Sequence, residues 1–394
     1  MSTARADRWL SLTISDIAAF RSGALISVAR LSARSGSQSV PVYGGNGVAG
    51  YTSSAMIDHP TVILGRVGQK CGAVYRNDGP AWVTDNALYA HQFKRPLDVH
   101  FLSLALEAAR LNDVKNRNDL PLITQSILND VKIAWPGSLV EQRQISGAMA
   151  DVDDLIAALE QMIIKKQRIK QSLMQELLTG RRRLQGFGDS WECRRVAEMG
   201  DVLAGKALNV SGTGASRPYL RTKNVLDGRI ELEDVLWMPM TDAEFERFRV
   251  EHGDVLLNEG QSLELVGRCS IYGGEFGTPC AMQNQLLRFR AHSGTSPEFA
   301  AHLFRHCQRT GAFAAIATKT TSVAHLGSSR LSSLRLLWPA SRREQAAIAE
   351  VLSDMDCEIT AHEARLDKAR ALKQGMMREL LTGRTRLPVM ESAA

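Results

Sequence analysis

The chain has 394 residues, 44% of them hydrophobic, with a formal charge of +6 and a sequence pI near 9.0. That length fills two cores more naturally than one, and the modest basic excess leans toward a polyanionic partner or a mixed-charge assembly. Six cysteines without a CxxC pair argue against a disulfide scaffold or a thiolate zinc site, and the lack of a leader-like N-terminus or an apolar run of roughly 18 residues points to a cytoplasmic chain with no membrane contact.

In chain order, residues 1–140 alternate short β-like runs (TVILGRVG, GAVYR, AWVTDNALYA) with turn-rich stretches, then carry a helical run, VHFLSLALEAARL. In YGGNGVAGY, glycines permit close backbone approach to a ligand. There Asn46 can pair with an adenine edge, while Tyr43 and Tyr51 can pack on sugar or base. Arg66 and Lys70 in GRVGQK suit phosphates, and Asn86 in WVTDNAL adds an amide. A flexible turn and solvated surface residues explain each of these equally well when taken singly.

Residues 141–184 read as a long helix. Ile145, Met149, Val152, Ile156, Leu159 and Ile163 are spaced alternately by four and three, an a/d seam. The seam then changes face to Ile169, Leu173 and Leu177, skipping register at Lys170. Gly180 in ELLTGRRRL is a natural C-cap.

Residues 185–343 form a second variable segment with runs DVLLNEG, LVGRCSIYG, TPCA and QNQLLRF and a late helical run, PEFAAHLFRHCQRTGAF. SRPYLRTKN places Arg217, Tyr219, Arg221, Lys223 and Asn224 together. Asn258, Gln261, Arg268 and Asn284 add amides and a guanidinium suited to base edges and phosphates. Residues 344–387 then repeat residues 141–184 at a constant offset of 203, with 20 identities in 44 positions and no gap. WPGSLVEQ recurs as WPASRREQ, and Trp9 and Gly23 align with Trp191 and Gly205 at an offset of 182, so the second variable segment is 21 residues longer. Each helix of about 40 residues would be about 60 Å long, and two of them can bury their stripes on one another as an antiparallel spacer.

The doubled ending places Arg181 and Arg183, and again Arg384 and Arg386, just past a helix C-terminus. Duplication of a helix with its cap accounts for it in part; a surface offered twice to copies of one partner accounts for the rest. No GxxxxGK[ST] or Asn-Pro-Pro-aromatic signature is present, and the glycine run GGNGVAG lacks the lysine and following hydroxyl of a phosphate loop. His302 and His306 have no acidic companion to complete a metal set, so neither a catalytic nor a metal site is expected.

VPVYGGNGVAGY, TVILGRVGQKCG, AWVTDNAL, GDVLLNEG, QNQLLRF and the paired WPxSxxEQ helices ending in ELLTGR give the whole chain its resemblance to the DNA-specificity subunits of type I restriction-modification systems. The resemblance implies an α/β fold: two target recognition domains with small twisted sheets, 1–140 and 185–343, separated by two long antiparallel spacer helices, 141–184 and 344–387, in a pseudo-twofold arrangement. It further implies a non-catalytic subunit that reads the two halves of a bipartite double-stranded DNA target and docks two methyltransferase subunits for adenine methylation. This chain would bind no cofactor. S-adenosylmethionine would sit on the methyltransferase subunits, and ATP with Mg on restriction and translocase subunits where these join. The alternative is a non-enzymatic bivalent scaffold for protein partners.

Overall fold

The computed structural model describes residues 8–27, 29, 31–34, 36, 39–113, 121–209, 211–319 and 323–388. Contacts divide the chain into a first unit, Met1–Glu160 with Ala364–Ala394, and a second, Gln161–Glu363. Both long helices, Leu139–Leu177 and Arg342–Leu380, are 39 residues long and contribute one half to each unit.

In the first unit, strand Trp9–Thr13 runs antiparallel to Lys132–Pro136. Thr13 then donates its backbone N–H to Asp16 Oδ2 at 3.0 Å, capping a single turn, Ile14–Ile17, that redirects the chain into the sheet. The sheet is antiparallel in the order Ala18–Ser22, Ala87–Phe93, Thr61–Gly65, Val74–Asn77. Thr61–Gly65 is buried at every position, as a continuous apolar run in a central strand should be. Helix Val99–Ala108 starts where Asp98 Oδ1 accepts from Phe101 N at 2.7 Å. Phe101 meets Trp135 edge-on at 5.3 Å in the core, where each fully buried Leu, Ile or Phe contributes roughly 1.5–3 kcal/mol. A smaller sheet has the order Gly47–Thr52, Val40–Gly44, Trp82–Val83.

The second unit repeats this plan. Trp191–Arg195 pairs with Arg335–Pro339, the turn Val196–Met199 follows, and the sheet order Gly200–Ala204, Leu286–Ala291, Val255–Asn258, Cys269–Ile271 matches that of the first unit. Helix Pro297–Arg309 starts at Ser296, whose Oγ accepts from Phe299 N at 3.2 Å, and Phe299 lies against Trp338. The smaller sheet has four strands: Leu236–Met240, Ala215–Leu220, Cys280–Met282, Arg249–Val250. Part of the extra sequence forms helix Asp242–Phe248 and the hairpin Val225–Leu226 with Arg229–Ile230, which have no counterpart among the described residues of the first unit.

The long helices run antiparallel in each unit. In the first, Asp153 pairs with Lys373 at 2.6 Å and Glu160 with Arg370 at 2.6 Å; in the second, Lys170 pairs with Asp356 and Lys166 with Glu358. Ile145, Met149, Val152, Leu159 and Ile163 are buried, as are Ile348, Leu352, Ile359 and Leu366. Past that point the spacing misleads. Ile169 is 42% and Leu372 53% exposed, whereas Lys170 is 4% exposed and continues the buried face with Met174 and Leu177. The lysine stem covers apolar surface while its ammonium reaches an aspartate on the facing helix, so the seam keeps its face and no register is skipped.

Candidate nucleic-acid interface

Three loops meet at one end of the first unit's sheets. Tyr43 O accepts from Thr84 N at 2.8 Å, and Arg66 N donates to Asn86 O at 3.1 Å. A Cβ on Gly45 would lie 3.1 Å from both Asn86 O and Val67 O, so glycine here lets the loops close on one another. The concavity that results is lined by residues 44–49, Val67, Gly68 and Asn86. Asn46, Lys70 and Asn86 are exposed around it, while half-buried Arg66 donates Nη1 to Ser22 Oγ at 2.7 Å. Thus Asn46, Arg66, Lys70 and Asn86 are brought together. Tyr43 stands half-buried beside Tyr75, with ring centroids 6.3 Å apart, and burial raises its phenol pKa, helped by Asp78 and Tyr51, keeping the hydroxyl a donor. Tyr51 lies under the Arg34 guanidinium, 5.9 Å from its ring centre, a neighbour that no motif in the sequence marks.

The corresponding loops of the second unit are also joined through backbone. Asn284 N donates to Lys206 O at 2.9 Å, Glu259 N to Gln285 O at 2.8 Å, and Asn258 N to Arg268 O at 2.9 Å. Gln261 pairs with Ala324 and Gly260 with His325. Gln261, Arg268 and Asn284 are therefore neighbouring, half-exposed groups at the strand ends. Gln283 and Gln285 belong with them, a grouping set by strand pairing that no spacing in the sequence announces, whereas the Lys206 side chain is 11% exposed and committed to Glu244.

Much of the SRPYLRTKN run is committed elsewhere. Tyr219 is 3% exposed within a cluster of Met238, Met240 and Phe245. Asn224 is 1% exposed: its Oδ1 accepts from Arg221 N at 2.9 Å and its Nδ2 donates to Glu231 O at 2.8 Å. Asn258 is fully buried, donating Nδ2 to Val225 O at 3.2 Å. These three side chains hold the domain and face no solvent. Arg217 stacks on Phe245 at 4.7 Å and pairs with Asp242 at 2.9 Å. Arg221 is paired with Asp234, and of the run only Lys223 projects strongly, its side chain 70% exposed and 3.4 Å from the same aspartate.

The doubled ending and the doubled WPxSxxEQ motif meet. In the first unit Arg386 grips Glu141 with Nε at 2.9 Å and Nη2 at 2.8 Å, and Trp9 Nε1 donates to the same carboxylate at 3.1 Å. In the second, Arg183 grips Glu344 at 2.6 and 2.7 Å and Trp191 Nε1 donates to it at 3.3 Å. The neighbouring glutamine is used identically: Gln142 Oε1 accepts from Asp98 N at 2.9 Å, and Gln345 Oε1 accepts from Ser296 N at 2.8 Å. Gly180 and Gly383 both have φ of 70° and lie against Trp191 and Trp9, so a side chain there would meet both a left-handed backbone and an indole. Arg183 and Arg386 thus serve as intrachain clamps, leaving Arg181 and Arg384 exposed. Among the described residues, no group of three or more His, Cys, Asp or Glu could hold a metal ion, and no helix is long and apolar enough to cross a membrane.

Residues 7–171 match the family model described as type I restriction modification DNA specificity domain. The chain is 24% identical over 196 residues, 49% of its length, to a specificity subunit assigned to the type I restriction enzyme MjaX of Methanocaldococcus jannaschii, and that alignment spans 46% of the relative. It is 23% identical over 306 residues to the type I restriction enzyme MjaVIII specificity subunit of the same organism, covering 73% of this chain and 70% of the relative. The fold superimposes on the crystal structure of a type I restriction-modification system S subunit from M. genitalium with a TM-score of 0.65 at 13% identity, covering 99% of both chains. The chain is thus similar in fold to this S subunit and, over residues 7–171, in sequence to the type I restriction modification DNA specificity domain.

Proposed function

We propose that the chain is the non-catalytic DNA-reading subunit of a cytoplasmic type I restriction-modification complex, with each domain reading one half of a bipartite double-stranded target. The observation that carries this reading is the repetition of one scaffold with unlike loops. The sheet order and clamps recur between the units, whereas the strand-end groups are Asn46, Arg66, Lys70 and Asn86 in one and Gln261, Arg268 and Asn284 in the other. A shared frame with two different sets of donors and acceptors suits two different half-sites.

In this reading two methyltransferase subunits dock on the repeated helix ends, with exposed Arg181 and Arg384 among the contacts, and carry S-adenosylmethionine for adenine methylation. Restriction subunits using ATP and Mg join where the system restricts. Asn46 and Asn86 are the first unit's base readers, while Lys70 contacts phosphate. The test is binding of the complex, with its partner methyltransferase, to its methylated-site duplex against mixed-sequence competitor. Asn46→Ala should cost about 1–3 kcal/mol of discrimination, and Lys70→Ala should weaken all duplexes alike and lower the salt dependence. Equal binding to target and competitor by the wild type would instead favour a scaffold for protein partners.

A further inference from the structure

Beyond the clamps, the second unit contains an ionic chain that the repeat does not predict. Arg305, on helix Pro297–Arg309, donates Nε to Asp227 Oδ1 at 2.9 Å and Nη1 to Asp356 Oδ2 at 3.0 Å. Asp356 also binds Lys170, and Asp227 takes a second arginine, Arg309, at 2.8 Å. Asp227 sits in the turn of the hairpin Val225–Leu226 with Arg229–Ile230, whereas Asp356 and Lys170 lie on the two long helices. The side chains of Lys170 and Arg305 are 5% and 10% exposed and those of Asp227 and Asp356 40% and 35%, so the relay from domain body to both helices has buried cations and carboxylates that line an open concavity.

The backbone is shaped around it. Gly228 has φ of 74°, and a Cβ there would lie 2.8 Å from Arg305 Cζ. The turn is thus pressed directly on the guanidinium. In the first unit the residue nine beyond the helix N-cap, the place Arg305 holds after Ser296, is Glu107 after Asp98. There Lys373 pairs with Asp153 at 2.6 Å, and Glu107, within reach of the Lys373 charge, brings a further carboxylate to the same cavity as Asp153 and Asp154. A buried guanidinium bridging two carboxylates fixes an angle because its donors are planar and rigid. A lysine ammonium, a point charge on a flexible stem, does not.

We infer that Arg305 is a positioning residue: through Asp227 and Asp356 it sets the angle at which the second domain's loops are held on the helix pair, and so how strictly the complex demands its spacing between half-sites. The role rests on the DNA-reading function proposed above. The test uses the complex with its methyltransferase partner and measures methylation of a native-spaced duplex and of duplexes lengthened or shortened by one base pair between the halves. Arg305→Met should lower the ratio of native-spaced to mis-spaced rates by about tenfold, with base discrimination inside the second half-site unchanged. Arg305→Lys, which cannot bridge both carboxylates, should restore little of it, and Glu107→Met should leave the ratio as in the wild type.

Asp227→Asn, nearly isosteric, serves as the second variant if Arg305→Met does not fold, and should lower the ratio in the same direction. Amide hydrogen exchange at residues 225–230, read without DNA, should speed up in both. An unchanged ratio in folded variants whose hairpin exchanges faster overturns the positioning role alone. A wild-type complex indifferent to both half-sites and spacing overturns the DNA-reading function and this role with it.

Discussion

The two units share a skeleton and differ in how charge is buried within it. At the clamps they are alike in chemistry and unlike in depth: Glu344 is fully buried and Arg183 is 29% exposed, whereas Glu141 and Arg386 are 6% and 43% exposed. On the short helix they are unlike in chemistry as well. The position six beyond the N-cap is His302 in the second unit and Leu104 in the first, and the ninth is Arg305 against Glu107. A duplicated frame can therefore hold one domain through apolar packing and a part-exposed lysine–aspartate pair, and the other through a network centred on a buried arginine, whose loss is costly.

The largest expected difference lies at the clamps. Glu344→Ala strands the Arg183 guanidinium and the Trp191 indole, and should destabilise the second unit by about 3–5 kcal/mol. Glu141→Ala leaves a more exposed Arg386 and should cost the first unit about 1–2 kcal/mol. Denaturant unfolding followed by segment-resolved hydrogen exchange checks this, and equal losses would break the comparison.

Acid should separate the units next. Burial, then the nearby Arg305 guanidinium, lowers the His302 pKa from its ordinary 6.5 to about 4, and its Nε2 lies 3.0 Å from Ser353 Oγ. Because the folded state holds the imidazole neutral, this contribution is complete above pH 6.5 and is lost as pH falls from 6.5 toward 4. The second unit should lose up to about 3 kcal/mol over that window. His302→Gln should flatten the decline, and the first unit, with Leu104 in that place and only the half-buried His100 held below its ordinary value by burial, should show a smaller one.

The C-cap glycines offer a smaller contrast. A Cβ on Gly383 would lie 2.5 Å from Trp9 Cδ2, against 3.3 Å between one on Gly180 and Trp191 Cδ2. Both alanine variants incur about 1–2 kcal/mol for the left-handed backbone, and Gly383→Ala should cost more than Gly180→Ala when both are measured by thermal unfolding. Smallest of all, Ile169→Gln and Leu372→Gln should each change stability by no more than about 0.5 kcal/mol. A loss above about 1.5 kcal/mol would return these residues to the seam.

The repeat, both long helices, the glycine caps and the late short helices were legible because each is a local or self-similar signal. TVILG and VHFLSLALEA become the central strand and capped helix that their patterns suggest. Burial of single polar residues was not legible. Asn224 and Asn258 have the side-chain inventory of base readers, and only strand pairing shows that their donors are spent on backbone carbonyls. Tyr219 lies on a strand facing inward, and nothing within SRPYLRTKN fixes which face that is. Lys170 looked like a break in an apolar seam because its partner, Asp356, is 186 residues away. The clamps were half visible: the repeat showed Glu141, Glu344, Arg183 and Arg386 to be equivalent pairs, but not that each arginine crosses to the other copy's glutamate.

Two scaffolds alike and two loop sets unlike should mean two separable readers. The most direct measurement is methylome sequencing of a host carrying this chain with its methyltransferase partner, beside a host in which residues 1–140 come from a relative. The account predicts a split motif with one methylated adenine in each half on opposite strands, and, after the exchange, a change confined to one half with the other half and the spacing retained. A continuous motif, or an exchange that alters both halves, would contradict it.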